Sequence, residues 1–280
     1  MTRVGIMQGR LLAPVDGEIQ AFPIDRWETE FEHAAAAGLC SIEWIDDLAG
    51  DGSNPLATDD GVAHILELTA QTGVEVNSVC ADYFQAMPLV QGSAAERRAR
   101  RERLVWLLGR CAAAGVRHVV LPLVDHSSLR GSDEIDELAR LLLDGVIAAA
   151  QQFKVEIHLE TDLPPTRFAE LLDRVAVEIV RVNYDSGNSA ALDYSVAEEF
   201  AAYGQRIGSV HIKDRRRGGP TVPLGTGDAD LPALWAALGQ VGYEGDLILQ
   251  VARGISGEEL AWARANRELV ETAVAAVATS

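Results

Sequence analysis

Cysteine is scarce in this chain. The three present, Cys40, Cys80 and Cys111, are odd in number, far apart and set in apolar segments. That argues against a disulfide framework and for small buried residues in a reducing compartment. Long hydrophobic runs are also missing. No stretch reaches the roughly 18 apolar residues of a membrane span, and the opening MTRVGIMQGRL lacks the apolar stretch of a secretory leader. A soluble cytoplasmic protein is the expectation. Positive charge is in short supply: 24 Lys and Arg against 42 Asp and Glu leave a formal net charge of -18, which repels nucleic-acid backbones and anionic membranes. Nor does a G-x-G-x-x-G turn follow the first apolar run, where GIMQGRL offers only Gly5 and Gly9, so a dinucleotide-binding fold has little support.

What is present is a regular alternation. The 280 residues are 48% apolar, enough for one large core, and the expectation is a single domain over 1–280. Short runs rich in Val and Ile predict strands at 4–7, 41–45, 75–81, 118–124, 156–161, 180–185, 207–213 and 246–251. Helical periodicity follows each, most clearly in DRWETEFEHAAAAGL, SAAERRARRERLVWLLGRCAAAG, SDEIDELARLLLDGVIAAAQQF and GEELAWARANRELVETAVAAVA. Gly38, Gly73, Gly115 and Gly242 stand where left-handed helix caps belong. Strands separated by helices pair in parallel through right-handed crossovers, and eight such units close as an α/β (β/α)8 barrel; an open doubly wound sheet is the alternative.

In a barrel both strand faces are buried, and period-2 alternation sorts them between helix side and interior. In EIHLET this turns His158 and Glu160 inward, in VRVNYD Asn183 and Asp185, in SVHIKD Ser209, His211 and Lys213, and in DLILQ Ile248 and Gln250. Four consecutive strands thus deliver Glu160, Asp185, His211 and Gln250 to one region. Ionised carboxylates inside a barrel are costly unless paired or metal-bound, and two carboxylates with an imidazole suit a divalent cation with O and N ligands. A water-bridged polar network is the bland alternative. At the same strand ends Glu43, Asp82 and Asp125 are further candidates to contact a substrate and, with His126, to supply a second proton-transfer group; each also reads as an ion-pair partner, capping residue or solvated side chain. Lys213, inward beside a cation site, needs an anionic partner. Gly225 and Gly227 in PLGTG, with Arg10 and the basic run ending in Arg217, predict a grip for a substrate anion; a flexible loop with Asp230 as helix cap is the alternative. Asn77, Asn183 and Asn188 are candidates for hydrogen bonds to a polar substrate, and asparagine near strand ends also satisfies loops.

The segments HLETD, NYDSGN and VHIKD, with GIMQGRL, SIEW, NSVCADYF, LPLVD and the eight-strand order, resemble the xylose-isomerase-like TIM-barrel superfamily. The resemblance spans nearly the whole chain and is closest to its sugar or sugar-phosphate isomerase/epimerase group, which includes inosose dehydratases and ketose 3-epimerases. It implies that Glu160, Asp185 and His211 bind one divalent ion, Mn, Mg, Co or Zn. In the ketose 3-epimerases the fourth ligand is a glutamate at the position matching Gln250. An amide oxygen still coordinates, but it cannot accept a substrate proton. Glu160 is therefore expected to be ligand and base of an isomerase or epimerase working through an enediolate, with Lys213 as a second catalytic group. The rivals are a lyase dehydrating a keto-polyol and a non-catalytic sugar- or metal-binding barrel. An abasic-site type endonuclease needs more ligands and a basic surface. The expected partner is a small sugar or sugar phosphate; self-association stays open.

Overall fold

The computed structural model describes residues 3–278. Eight parallel strands form where Val- and Ile-rich runs favour extended, buried backbone. They are β1 (Val4–Met7), β2 (Ser41–Ile45), β3 (Glu75–Cys80), β4 (His118–Leu123), β5 (Glu156–Thr161), β6 (Val180–Asp185) and β7 (Ile207–Ile212). After a small hairpin of β8 (Asp214–Arg215) and β9 (Thr221–Val222), the eighth barrel strand is β10 (Leu247–Leu249). The spatial order β1-β10-β7-β6-β5-β4-β3-β2 is closed, because β1 pairs with both β10 and β2. The expected (β/α)8 barrel is therefore the fold, and closure leaves no barrel edge unpaired.

The flanking helices are α1 (Thr29–Ala37), α2 (Asp59–Thr72), α3 (Tyr83–Ala86), α4 (Ala94–Ala113), α5 (Ser132–Leu141), α6 (Ile147–Phe153), α7 (Pro165–Val175), α8 (Ser186–Ala191), α9 (Val196–Tyr203), α10 (Leu231–Val241) and α11 (Glu259–Ala278). α7 shows why they dock: Phe168, Leu171, Leu172 and Val175 share one face at three- and four-residue spacing and are buried. Three helices stop at glycines in left-handed conformation, Gly38 (φ 75), Gly73 (φ 74) and Gly242 (φ 67).

The continuous helix expected over 132–153 is interrupted. Asp144 and Gly145 leave helical geometry, Gly145 at φ 94, and Asp144 instead reaches Arg101 on α4. The hairpin after β7 was not foreseen, since strands of two residues carry no periodicity. β10 is shorter than expected, yet the backbone N–H of Gln250 still donates to Ile212 O at 3.0 Å and keeps the barrel register.

The amino-terminal end of the barrel is closed by its own polar cluster. Asp246 accepts from Arg3 Nε (2.6 Å), Ser41 Oγ (2.7 Å) and Asn77 Nδ2 (3.1 Å), and Asn77 also donates to Glu75. This corrects the placement of Asn77: it stands at the start of β3, at the end of the barrel opposite the other candidates.

Candidate functional site

At the carboxyl ends of β5 to β7 the expected trio meets. Glu160, Asp185 and His211 are 5%, 4% and 0% exposed, and each offers a ligand atom within 4.8 Å of the others'. Strand register does the work: Asp185 and His211 are direct partners across β6 and β7. The carboxylates are aimed by neighbours. Glu160 Oε1 accepts from Asn188 Nδ2 at 2.6 Å and Oε2 from Asn183 Nδ2 at 3.1 Å. Asp185 caps α8, its Oδ1 taking the N–H groups of Gly187 and Asn188 at 2.8 Å, which leaves Oδ2 for the interior. Below, Ser209 Oγ donates to Asn183 Oδ1 and lies 2.8 Å from His158 Nδ1, so Asn183, Ser209 and His158 under the site are hydrogen-bonded to one another.

The electrostatics of the trio favour a cation. Burial, then the adjacent Asp185, raise the Glu160 carboxyl to about 7. Burial alone would lower His211, but the charge of Glu43 and its hydrogen bond, followed by Glu160 and Asp185, outweigh it and raise the imidazole to about 9. Against this excess negative charge, Asn183 Nδ2 lies 3.1 Å from His211 Nδ1 and favours a lone pair there. A divalent ion satisfies both demands, replacing the proton at Nδ1 and neutralising the carboxylates, so the donor set fits a divalent metal with O and N ligands.

Around the trio runs a rim of amides and cations. Lys213 Nζ reaches Gln250 Oε1 at 3.1 Å, Asp185 Oδ2 at 3.4 Å and Asn188 Oδ1 at 3.4 Å. Its stem passes Gly187, where an added Cβ would lie 2.6 Å from Lys213 Cγ. Arg215 Nη1 donates to Asn188 Oδ1 at 3.0 Å. Gln20, in the loop after β1, donates to Asp82 Oδ2 at 2.7 Å while its Oε1 accepts from Gln250 Nε2 at 3.0 Å. Burial raises Asp82 above the usual carboxylate range. Sequence reasoning singled out neither Gln20 nor Arg215: the first sits in a loop without periodicity, and the second was read only as part of a basic run.

Several expected substrate contacts are otherwise engaged. Glu43 is fully buried and bonded to His211 Nε2 at 2.6 Å, behind the imidazole rather than at the mouth. The amides of Gly225 and Gly227 both donate to Asp214 Oδ2, at 2.9 and 2.8 Å, and Ala229 N to Oδ1. The glycine loop is thus wrapped around an internal carboxylate, which takes the place of the expected phosphate. Arg217 pairs with Asp193 at 2.6 Å and lines a separate cavity beside α8, α9 and α10. Arg10 is buried on Val251 O, Ile19 O and Gln20; burial and Arg253 lower it to about 9. It braces the loop that carries Gln20. Asp125 is exposed and accepts from Gln85.

Comparison with known proteins agrees with this architecture. A family model described as xylose isomerase-like TIM barrel matches residues 31–272. L-ribulose-5-phosphate 3-epimerase UlaE of Salmonella paratyphi C (strain RKS4594) is 26% identical over 199 residues, 67% of this chain and 68% of that protein. Among solved structures, an L-ribulose 3-epimerase superimposes with a TM-score of 0.77 at 18% identity, covering 100% of this chain and 96% of that one. The IOLI protein with a binding zinc atom gives 0.72 at 16% identity, covering 99% and 98%. With its closed eight-strand barrel and a family match over most of its length, the chain belongs to the xylose isomerase-like TIM-barrel family.

Proposed function

We propose that the chain is a divalent-metal-dependent isomerase or epimerase of a sugar or sugar phosphate, with Glu160 as the base. The observation that carries this reading is the buried convergence of Glu160, Asp185 and His211 at the strand ends. The names of the relatives, sugar and sugar-phosphate 3-epimerases, support it, as does the zinc in the IOLI structure. Glu160, Asp185 and His211, with the amide oxygen of Gln250, would hold the ion, whose chemistry when bound is to polarise a ketose carbonyl and its neighbouring hydroxyl.

The rest falls to the chain's own groups. Glu160 takes the proton from the carbon beside the carbonyl, and the electron pair moves to the carbonyl oxygen to give an enediolate. Ionised in the loaded site, the Glu160 carboxylate is the group placed to accept that proton and give it back. Lys213, whose Nζ lies 3.4 Å from Asp185 Oδ2, is the cation set against the developing negative charge. The rim amides Asn188, Gln20 and Gln250 pair donors with acceptors, as sugar hydroxyls require. Because Gln250 carries no carboxylate, one base serves: Glu160 returns the proton on the same face but to the neighbouring, former carbonyl carbon, while the hydroxyl proton moves to the other oxygen, which is aldose–ketose isomerisation; epimerisation calls for a second group on the opposite face.

Incubating the Mn2+-loaded protein with C5 and C6 ketoses in deuterated water tests this. Solvent deuterium in recovered ketose, its epimer or the aldose, lost in Glu160→Gln, is expected. Loss of water with a conjugated product would instead identify a lyase, and sugar binding without exchange a non-catalytic barrel.

A further inference from the structure

We infer that Glu43 is a positioning residue of the metal site: it holds His211 with Nδ1 turned to Glu160 and Asp185, and it gives the trio a third buried negative charge that the neutral Gln250 does not supply. The inference rests on the metal reading above. Glu43 sits on β2, with β1 and β10 between it and β7 around the barrel, so its contact with His211 crosses the interior. Both side chains are 0% exposed, and Oε1 lies 2.6 Å from Nε2. The other ring nitrogen faces the trio, 3.5 Å from Glu160 Oε2 and 3.9 Å from Asp185 Oδ2.

A carboxylate only accepts, so Nε2 carries the hydrogen and Nδ1 is the nitrogen offered to a metal. A carboxylate behind a ligating imidazole fixes ring orientation and strengthens its basicity. Neighbouring residues are tied to other tasks: Gln250 Oε1 faces Lys213, and Asp185 Oδ1 caps α8. Glu43 is the carboxylate hydrogen-bonded to the His211 imidazole itself.

The chelator-stripped full chain, 15N-labelled at histidine, is loaded with 113Cd2+ and examined by NMR; Mn2+ affinity is measured separately on parent and variants. Cadmium coupling to His211 Nδ1, with a protected proton on Nε2, is expected. Glu43→Gln keeps the shape but loses the charge, and its Mn2+ affinity should fall about 10- to 100-fold. Adding Gln250→Glu in that background should recover about tenfold or more, which a purely structural role for Glu43 would not produce. If the parent binds neither ion, the metal reading fails and this inference with it. If the parent binds and Glu43→Gln binds Mn2+ equally well, only this inference fails. Coupling to Nε2 overturns it in the parent alone, so the result does not depend on the variants folding.

Discussion

Gln250 Nε2 donates to Gln20 Oε1 at 3.0 Å, so the amide at the end of the eighth barrel strand is tied outward by its nitrogen, to the loop after β1. Its oxygen is thereby turned inward, onto Lys213. Oriented this way, Gln250 presents the only end of an amide that a metal binds. Gln250→Leu should weaken Mn2+ binding about tenfold, whereas Gln250→Glu should preserve or tighten it, by the usual scale for metal-site partners. Competition against a fluorescent chelator measures both. Parental affinity and turnover in Gln250→Leu would reduce the amide to barrel packing.

Metal binding should release protons. The metal-free trio holds Glu160 raised to about 7 and His211 raised to about 9, and both must be deprotonated to ligate. Apparent affinity therefore rises with pH from about 6 and levels off above about 9. Calorimetry at pH 7 in buffers of different ionisation enthalpy should give more than one proton released per Mn2+. Zero release would contradict the placement of the metal on these groups.

The loop around Asp214 predicts a null result for phosphate. With Gly225 and Gly227 both bound to Asp214, which is 1% exposed, the loop has no free amide pair to give a dianion. Free and terminally phosphorylated forms of one ketose should bind within a few-fold of each other, and Arg217→Ala should change neither. Asp214→Ala should cost about 1–3 kcal/mol in denaturant unfolding, because three N–H groups lose their acceptor. A phosphorylated ketose binding far more tightly, with that preference lost in Arg217→Ala, would restore the anion grip.

Glu30 should make stability fall with pH. On α1, fully buried, it takes the N–H groups of Gly9 and Leu11, and burial raises it from 4.5 to about 8. Below about 4.5 the carboxyl is protonated in folded and unfolded chain alike, and no cost arises. Between about 4.5 and 8 the unfolded chain ionises first, so stability drops with rising pH, by at most about 1.4 kcal/mol per unit. Denaturation of parent and Glu30→Gln across this range should show the slope in the parent and a smaller one in the variant. Equal slopes would assign the dependence elsewhere.

The residues brought together at β5 to β7 show why so much was readable beforehand. Inward phase on a strand follows from a period of two, and parallel register then levels the strand ends, so Glu160, Asp185 and His211 had to meet once the barrel closed. Asn188 followed, because it lies within the first turn of the helix that Asp185 caps. Glu43 was likewise expected at a strand end, but strand phase says only that a side chain points inward, not which group opposite it will meet.

Sequence by itself determined the barrel, its eight units and the three side chains that converge at the ends of β5 to β7, since each is a local pattern repeated at the spacing of one βα unit. Tertiary structure alone decided the partners. Whether the amides of Gly225 and Gly227 meet a substrate or Asp214, whether Arg10 faces an anion or the carbonyls of Ile19 and Val251, and whether Asn77 stands at the mouth or the opposite end are settled by how loops fold back. Loops carry no periodicity, and their polar groups bond to whichever complementary group closure brings within about 3 Å.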